Sequence, residues 1–449
     1  MRIPVLLLMA AVCLLVRIDS TVAEETAAER GYRLLTTKAY LPPDFDQEVL
    51  KDLWKVWPED WRQKAAQASP EERRELIFSY YGIMHRPGSE EAPLGYVVTP
   101  EQKWVMNCFT CHGGKVAGTV IPGAPNSHVA LHTLTEDVSK VKLQQLKKLS
   151  HMDLAAIGIP LGTTHGTTNA VIFGVVLDSL RDPDMNFDRN RPVPSLLHHD
   201  MDPQPWWNVK RKSRIYADAF ITKNHRALMQ FILIPRNNAD KIKKWESDFA
   251  DILAYIESLE APRYRWTIDE KLAQQGEMIF NDHCADCHGT YGKESVYPLK
   301  TVAITELKTD PARLNSLPPN YRAALNLSWL SRYGKDPVVE DPGGYVAPPL
   351  NGVWASAPYF HNGSVPTLWH VLNPQERPEI WQRTENGYDQ TRVGLEVQTF
   401  KKVPKDLSTV QKRLYFDTSQ FGKSAKGHNY PDELTLEQKK AVLEYLKTL

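Results

Sequence analysis

The chain contains two copies of one five-residue pattern, Cys108-Phe109-Thr110-Cys111-His112 and Cys284-Ala285-Asp286-Cys287-His288. Cys-x-x-Cys-His is the attachment signature of c-type haem, in which both thiols bond to the porphyrin and the histidine coordinates the iron. Two cysteines three positions apart lie about one helical turn from each other, so both can reach one porphyrin edge. We therefore predict two covalently bound haem c groups, with His112 and His288 as iron ligands.

Three other kinds of site share part of this pattern: a disulfide, half of a zinc site, and a thioredoxin-like redox pair. The chain has five cysteines, and only Cys13 lies outside the two motifs. A four-cysteine zinc site would leave both following histidines unexplained. The repetition therefore favours haem over these alternatives.

The first 23 residues are typical of a secretory signal peptide. Arg2 precedes an apolar run of thirteen residues, 4–16, and the small-residue stretch Thr21-Val22-Ala23 follows. The run is shorter than the roughly 20 residues that a membrane helix needs. We expect cleavage after Ala23, no membrane span in the mature chain, and a periplasmic or secreted protein. Export agrees with haem attachment, which takes place outside the bacterial inner membrane.

The composition limits the partners of the protein. A chain of 449 residues allows two or three domains, and its formal net charge is zero. A neutral chain has no general attraction to nucleic acid or to an anionic membrane surface. The 32 prolines predict long ordered loops between helices. We therefore expect a soluble protein that does not bind nucleic acid.

The positions of the two motifs suggest a repeated plan, with a motif near the start of each unit and a helix at its end. We predict a mainly α fold with two tandem cytochrome c-type haem domains, an N-terminal helical extension and long loops. The boundaries are the signal peptide at 1–23, the extension at 24–100, the first haem domain at 101–262, which carries the reactive haem, and the second at 263–449, which carries the electron-transfer haem.

Apolar residues recur at helical spacing in several stretches. In the extension these stretches are Asp46 to Trp57 and Pro70 to Met84. A helix from about Ala239 to Leu259 closes the first haem domain. In the second haem domain, a helix from Asp269 to Phe280 leads to Cys284, and a helix from Thr435 to Leu449 ends the chain. No strand-rich region is predicted.

The function of the second haem depends on the sixth coordination position of its iron. A strong sixth ligand makes an electron-transfer haem, whereas an open position permits peroxide or dioxygen chemistry. No methionine follows Met278, so a ligand from the second domain has to be a histidine. His428, in the loop before the last predicted helix, is the first choice, and His361 is the second. His370 is interpreted as a structural histidine.

The sixth ligand of the first iron stays open. Several histidines and methionines follow the first motif, and their spacing does not choose among them, since a lone histidine is more often structural than a ligand. The candidates are His128, His132, His151, Met152, His165, His225 and Met229.

The stretch from Asn351 to Leu368 includes Ala357-Pro358-Tyr359-Phe360-His361-Asn362-Gly363-Ser364. This stretch resembles a hallmark of the dihaem cytochrome c peroxidase superfamily, and most of all its rubber oxygenase branch. Pro205-Trp206-Trp207-Asn208-Val209-Lys210, Gly123-Ala124-Pro125-Asn126 and Gly427-His428-Asn429-Tyr430 are similar to that branch as well. The resemblance covers about residues 90–449.

The resemblance implies a reactive haem in the N-terminal haem domain and a six-coordinate haem in the C-terminal one that stores or relays electrons. In rubber oxygenase the distal ligand is a histidine in the loop before the last helix, which corresponds to His428. The resemblance makes His361 a hydrogen-bonding partner of the haem or of its propionates. It also implies one calcium ion between the domains, near Ser356, Pro358 and Asn169.

The chain departs from these relatives at a tryptophan that lies between the haems. The local match is Tyr216-Ala217-Asp218-Ala219, so the tryptophan position corresponds to Ala217. Tyr216, Trp206 or Trp207 could carry electrons instead, and aromatic packing is the alternative role of all three. A predicted helix over about 219–234, which contains Phe231, would give the first haem an apolar roof. His165 is the candidate distal acid–base residue.

These features predict a periplasmic dihaem c-type oxidoreductase of the peroxidase or oxygenase kind. Its N-terminal haem would activate peroxide or dioxygen, and its bis-histidine C-terminal haem would relay electrons. The expected partners are a redox protein or a small electron donor, together with peroxide, dioxygen or an apolar substrate. The alternative function is a non-catalytic two-haem electron carrier.

Overall fold

The computed structural model describes residues 24–159, 161–193, 198–317 and 319–449. The predicted signal peptide, residues 1–23, lies outside the described residues. Among the helices described, none combines the length and the apolar character that crossing a bilayer requires. Helices make up 43% of the structure and strands 13%.

The first 75 described residues form helices and two short strands, and two of the helices begin with a capping box. The side chains of Thr26 and Ser69 each accept a hydrogen bond from the backbone N–H three residues further on. The glutamate at that position accepts a hydrogen bond from the backbone N–H of Thr26 or Ser69 in return. The elements are α1 (Ala27–Thr37), β1 (Phe45–Asp46), α2 (Gln47–Asp52), a 3₁₀ helix (Leu53–Val56), α3 (Glu59–Gln67), α4 (Pro70–Tyr81) and β2 (Tyr96–Val98). The helices predicted after Asp46 and from Pro70 are confirmed.

The next region carries the first Cys-x-x-Cys-His motif on a single helical turn. Its elements are β3 (Lys103–Met106), α5 (Phe109–His112), β4 (Gly113–Val116), β5 (Thr119–Pro122), α6 (Leu131–Gln144), α7 (His151–Gly158), α8 (Ala170–Ser179), a 3₁₀ helix (Trp206–Arg211), β6 (Arg214–Ile215), β7 (Ile221–Thr222), α9 (His225–Met229), a 3₁₀ helix (Gln230–Ile232), α10 (Ala239–Lys244) and α11 (Glu246–Ser258).

The last region carries the second motif and the longest hairpin. Its elements are α12 (Glu270–His283), α13 (Ala285–His288), β8 (Thr301–Ala303), α14 (Ile304–Leu307), α15 (Ala312–Asn315), α16 (Pro319–Leu325), a 3₁₀ helix (Trp329–Ser331), β9 (Gly344–Val346), a 3₁₀ helix (Val353–Ala355), α17 (Leu368–Leu372), a 3₁₀ helix (Pro374–Glu376), β10 (Ile380–Asp389), β11 (Gly394–Phe400), α18 (Thr409–Lys412), β12 (Phe416–Asp417), a 3₁₀ helix (Tyr430–Glu433) and α19 (Leu436–Thr448).

The N-terminal region shares its core with the region of the first motif. A three-stranded sheet has the order β1-β3-β2, and β3 leads directly to Cys108. Trp57 donates a hydrogen bond to the hydroxyl of Tyr81 (2.7 Å), which donates in turn to Asp137 on α6 (2.8 Å). Both aromatic side chains are almost fully buried. Sheet and core therefore cross residue 100, where the sequence predicted a boundary.

Two helix pairs pack closely because a glycine lies at each crossing. A β-carbon on Gly31 of α1 would lie 2.1 Å from the Asp251 carbonyl oxygen of α11. A β-carbon on Gly276 of α12 would lie 1.9 Å from the Ala441 carbonyl oxygen of α19. Such distances exclude any side chain at either glycine unless the helices separate. The second motif directly follows α12, and Phe109 of the first motif contacts the rings of Tyr32 on α1 and Tyr255 on α11.

The predicted fold class is wrong. In the described ranges, five small sheets accompany the helices, and the hairpin of β10 and β11 contacts the first half of the chain. His128 Nε2 lies 2.7 Å from the carbonyl oxygen of Glu385 on β10. Arg413 forms a two-pronged ion pair with Glu136 of α6 (2.7 and 2.8 Å). Because these contacts join the halves, the structure does not show two tandem cytochrome modules.

The predicted helix over 219–234 is largely wrong. Ala219 has a positive φ of 48°, which a helix does not accommodate, and Ile221–Thr222 pair with β6 as strand β7. Helical structure begins only at His225, behind an Asn224 side chain that caps the helix. The apolar periodicity there reflects a short helix followed by one 3₁₀ turn.

We predict that Gly276→Ala lowers the melting temperature of the protein markedly. The added methyl group collides with the backbone of Ala441, which cannot move without separating α12 from α19. Overpacking of this kind costs about 1–3 kcal/mol. Gly158→Ala is the matched control, because nothing lies within 4 Å of its β-carbon. Thermal unfolding followed by circular dichroism measures both variants, and equal melting temperatures would contradict the predicted crossing.

Candidate functional site

The first motif folds as one helical turn. The backbone N–H of His112 donates to the Cys108 carbonyl oxygen (3.1 Å), which places both thiols and the imidazole on adjacent positions of the turn. Cys108 and Cys111 are half-buried and are not joined in a disulfide. Burial raises the pKa of the Cys108 thiol to about 12 and that of Cys111 to about 11. Before haem attachment, both sulfurs are therefore protonated thiols near neutral pH.

The ring of His112 is held by a distant part of the chain. Its Nδ1 lies 3.0 Å from the carbonyl oxygen of Gln204, so Nδ1 carries the proton and Nε2 is left for a metal. Trp206 stacks on the imidazole at a centroid distance of 4.8 Å. Burial lowers the pKa of His112 to about 4. The ring is thus neutral and oriented, which is the state required for iron coordination.

The second motif repeats this arrangement at the end of α12. The N–H of His288 donates to the Cys284 carbonyl oxygen (3.0 Å), and Cys284 and Cys287 carry free thiols. His288 Nδ1 lies 2.9 Å from the carbonyl oxygen of Pro348. Burial lowers the pKa of His288 as well. Both motif histidines therefore present Nε2 while a backbone carbonyl holds Nδ1.

His428 lies opposite His288. The two ring centroids are 6.2 Å apart. An imidazole nitrogen binds a metal at about 2 Å, and each centroid lies about 1 Å behind its nitrogen, so two rings on one iron have centroids about 6 Å apart. Burial, and next the proximity of His288, lower the pKa of His428 to about 3. The pair has the separation that a bis-histidine haem iron requires.

The loop that carries His428 is fixed from two sides. Arg377 donates hydrogen bonds to the carbonyl oxygens of Ala425 and Gly427 (2.7 Å each). The N–H of His428 donates to the Leu307 carbonyl oxygen (2.9 Å). Gly427 permits the loop to pass close to Lys308, where a β-carbon would lie 2.4 Å from the Lys308 carbonyl carbon. The backbone that carries His428 is therefore held in place on both sides.

The other two histidines of the C-terminal half lie elsewhere. The ring of Phe360, the neighbour of His361, faces His428 at 6.0 Å, whereas His361 stacks on Tyr345 at 4.1 Å. Burial lowers the pKa of His361 to about 3. His370 is buried, and its Nδ1 lies 2.8 Å from the hydroxyl of Thr367. These contacts favour His428 over His361 as the ligand and a structural role for His370.

Four histidines considered for the first iron are held by other partners. His128 contacts Glu385, His132 Nε2 lies 3.3 Å from Glu136, and His225 Nε2 lies 3.2 Å from Glu246. His165 Nε2 lies 3.2 Å from the hydroxyl of Thr133, and burial lowers its pKa to about 3. A group with that pKa stays neutral and does not suit proton transfer near neutral pH.

The remaining three candidates for the sixth ligand of the first iron also lie against other residues. Met229 is fully buried in the main core, Met152 packs in a small cluster with Leu161, and His151 lies beside Asp44 at 3.9 Å. The structure thus brings a second imidazole to His288 and supplies no comparable contact for His112 from the candidates named by the sequence.

The aromatic candidates near the first motif have separate roles. Trp206 contacts His112, whereas Trp207 Nε1 donates to the Asn351 carbonyl oxygen (2.7 Å) and has no ring contact with that histidine. Tyr216 donates to the Ala227 carbonyl oxygen (3.3 Å) and accepts from Gln230. Burial is the main reason that the pKa of Tyr216 is raised, and the charge of the nearby Cys108 thiolate adds to this rise. Phe231 lies half-buried on the adjoining 3₁₀ turn.

Sequence reasoning missed Tyr345. Its ring packs against Ala217, the position where the resemblance expected tryptophan, and stacks on His361. Its hydroxyl donates to the Asp310 carbonyl oxygen (2.7 Å). The small side chain of Ala217 was the available signal, because a small residue leaves room for a large one from elsewhere.

Sequence reasoning also missed Asp202. This carboxyl is 5% exposed, and its Oδ1 has no hydrogen-bond partner among the described residues. Burial alone raises its pKa well above the ordinary value. A β-carbon on Gly363 would lie 3.2 Å from Pro358 Cγ and 3.4 Å from Asp202 Cβ, so Asp202 lies beneath the Ala357–Ser364 loop.

The geometry argues against the competing sites for the four cysteines. All four thiols are free. In the described part of the chain, no group of three or more histidine, cysteine or acidic side chains is arranged to hold a metal ion. A structural zinc site needs four such ligands. Two thiols on one turn beside an oriented imidazole fit covalent haem instead.

Residues 344–382 match a family model described as RoxA-like, cytochrome c-like. The match includes the Ala357–Ser364 loop and supports the family resemblance and a haem-based redox function; a cytochrome c-like domain implies covalently bound haem c. It covers too little of the chain to show the two-haem arrangement.

Two curated relatives come from Sinorhizobium fredii, and both are named only as uncharacterized proteins. One, y4iM, is 30% identical over 31% of this chain and 37% of its own length. The other, y4iJ, is 26% identical over 41% of this chain and 39% of its own length. The chain therefore spans less than two fifths of each relative, and neither name indicates an activity.

We predict that the mature protein carries two haems and no free thiol. Its four cysteines all lie in the motifs, so intact-mass spectrometry should give the polypeptide plus two haems, and the denatured protein should not react with a thiol reagent. The Cys284→Ser/Cys287→Ser variant should retain one haem, and the reciprocal Cys108→Ser/Cys111→Ser variant should retain the other. Two haems on either variant would contradict the assignment.

Proposed function

We propose that this protein is a dihaem c-type oxidoreductase of the rubber-oxygenase-like kind, acting in the periplasm or outside the cell. The observation that carries the proposal is the inequality of the two sites. His428 lies opposite His288, whereas four of the five histidines considered for the first iron are bonded to other groups. An iron with two imidazoles exchanges electrons, and an iron with an open position can bind a small oxidant.

The surroundings of the first motif favour dioxygen and an apolar substrate over peroxide. Cys108 and Tyr216 adjoin a cluster that includes the buried side chains of Val175, Phe220 and Ile232. Peroxidase chemistry needs an acid–base group beside the iron, and His165 is bonded to Thr133 with a pKa of about 3. An apolar wall without such a group excludes water and suits an apolar substrate.

Two groups of aromatic side chains lie near the two sites, one beside Cys108 and one beside His428. Tyr216 stacks with Phe220 (5.2 Å), and the buried Arg313 guanidinium lies over the Phe220 ring (5.1 Å) while pairing with Asp218. Near the second site, Tyr345 stacks on His361, and Phe360, which precedes His361 in the chain, faces His428. These two groups of aromatic rings would serve electron exchange in place of the missing tryptophan.

The proposed function predicts that carbon monoxide binds one haem per chain in the reduced protein. Under the proposal, the first haem keeps an open axial position and the second does not, so half of the haem should respond in the visible spectrum. Two low-spin haems that both ignore carbon monoxide would instead support the electron-carrier alternative. Dioxygen uptake with an apolar polyene, compared with peroxide-driven dye oxidation, then separates oxygenase from peroxidase activity.

We predict that His428→Ala converts the second haem from a low-spin to a high-spin or water-ligated form. The variant loses the imidazole whose ring centroid lies 6.2 Å from that of His288, and no second histidine ring contacts His288 in the part of the chain that the structure describes. Low-temperature electron paramagnetic resonance measures the change, and carbon monoxide should then bind two haems per chain. His370→Ala is the matched control, because His370 is bonded to Thr367 and should leave the spectrum unchanged.

We further propose that a calcium ion binds beneath the Ala357–Ser364 loop, with Asp202 as its charged ligand. Calcium prefers carboxylate and carbonyl oxygens, and a buried carboxyl oxygen without a partner beside Pro358 fits that preference. Of the other residues expected there, Asn169 is buried with its amide nitrogen 2.8 Å from His198 Nδ1, and the Ser356 hydroxyl donates to the Gly352 carbonyl oxygen (3.2 Å).

We predict that millimolar calcium raises the melting temperature of the wild-type protein relative to excess EDTA and that Asp202→Asn removes this response. Binding to the folded state alone stabilises by RT ln(1 + [Ca²⁺]/Kd). In EDTA the variant should be at least as stable as the wild type, because an unpaired buried carboxyl is costly. Asp336→Asn, at an exposed aspartate, is the control, and an equal calcium response in all three proteins would place the ion elsewhere.

A further inference from the structure

Within the described ranges, four lysines are buried, and three of them have a carboxylate partner. The pairs are Lys142 with Asp153, Lys423 with Asp200 (3.3 Å) and Lys447 with Glu444 (2.7 Å). Lys212 is the fourth, and its Nζ forms neither an ion pair nor a hydrogen bond with any residue that the structure describes. The chain therefore balances its buried lysines except at this one position.

Lys212 brings a positive charge into the interior of the protein. The residue is 8% exposed, and burial lowers its pKa to about 8. That value leaves the ammonium group mostly protonated at pH 7. A buried ammonium ion is costly unless an anion or a hydrogen-bond acceptor offsets its lost hydration. The position therefore requires an anion that the described polypeptide does not supply.

The segment that carries Lys212 contacts the first haem site at both of its ends. At its start, the Gln204 carbonyl oxygen holds the ring of His112. At its end, Tyr216 packs against the same core cluster as Cys108, and the charge of that thiolate contributes to the raised pKa of Tyr216. Lys212 lies between these contacts, where the 3₁₀ helix ends and two residues before β6 begins. The chain is thus fixed at the first haem site on either side of the unbalanced lysine.

The other charged groups of this segment already have partners. The acid Asp218 is paired with the buried Arg313 (3.2 Å), so its charge is not available to Lys212. Arg211 is half-buried and donates to the Ser295 hydroxyl (3.4 Å). The remaining cations form ion pairs, namely Lys210 with Glu260 (2.5 Å), Arg214 with Glu340 (3.0 Å) and Lys223 with Glu257 (2.5 Å). The missing counter-charge therefore has to come from outside the segment.

We propose that the ammonium group of Lys212 pairs with a propionate of the first haem. Haem c carries two propionate carboxylates, and its thioether bonds to Cys108 and Cys111 leave both of them free. A carboxylate supplies the negative charge and the hydrogen-bond acceptor that Lys212 lacks. The contacts of the segment with His112 and with the cluster around Cys108 favour the first haem over the second. This proposal rests on the proposed two-haem arrangement.

Redox titration of the mature holoprotein tests the proposal. A cation beside a haem raises its reduction potential, because it favours the ferrous form, which carries one positive charge fewer than the ferric form. In Lys212→Gln, the reduced-to-oxidised ratio of the first haem at a fixed potential should fall about tenfold, a downward shift of about 59 mV for one electron. The second haem should keep its potential. Electron paramagnetic resonance follows both haems, and the signal that His428→Ala alters identifies the second.

Two further variants separate the charge of Lys212 from a purely structural role. Lys212→Arg keeps the charge and should hold the potential close to that of the wild type. Its haem propionate band in the resonance Raman spectrum should shift, because the hydrogen-bond donor has changed. Lys243→Gln, at an exposed lysine of α10, is the matched control and should alter neither measurement. If Lys212→Gln does not fold, the Raman band of Lys212→Arg decides.

Haem content, measured by intact-mass spectrometry, distinguishes the failure of this proposal from that of the proposed function. A wild type without the first haem would overturn both. With two haems present, an unchanged first-haem potential in Lys212→Gln, a shift at the second haem alone, or an unshifted propionate band in Lys212→Arg would overturn the assignment of Lys212 and leave the two-haem arrangement standing.

Discussion

The contact on which both sites depend joins the two loops that orient the motif histidines. Gln204 and Pro348 supply the carbonyl oxygens that hold His112 and His288, and each of these residues precedes a proline. A residue before proline is held extended, so its carbonyl is available to a partner outside a helix. The two loops are then bonded to each other, because Trp207 and Asn208 donate to the Asn351 carbonyl oxygen (2.7 and 3.1 Å).

This contact gives Trp207 a structural role in addition to the electron-carrier role predicted for it. The sequence made it a candidate electron carrier, whereas its indole N–H holds the loop of the second site to that of the first. Asn208 adds a bond to the Pro349 carbonyl oxygen (3.0 Å), and both side chains are buried. A shift of either loop would turn an imidazole away from its metal position, so the orientation of one histidine is mechanically tied to that of the other.

The sequence pattern predicted those elements that depend on residues close to one another in the chain. The crossed helices α11, α12 and α19 follow from apolar periodicity, and the site at His288 follows from the motif together with the lack of methionine after Met278. The hairpin of β10 and β11 could not be foreseen, because it also contacts residues such as His128 that are remote in sequence. The same holds for Tyr345 and Asp202, whose roles depend on which distant residues the fold brings beside them.

Burial of the histidines explains why both sites keep an imidazole nitrogen unprotonated and free to bind a metal. The pKa values of His112, His288 and His428 are all lowered, chiefly because their charged forms are poorly solvated. A proton and a metal compete for the same imidazole nitrogen, so a lowered pKa keeps that nitrogen free through the mildly acidic range. The first site has one such imidazole and an apolar neighbourhood, while the second has two that face each other. The number of oriented imidazoles, more than the motifs themselves, therefore distinguishes the proposed reactive site from the proposed relay.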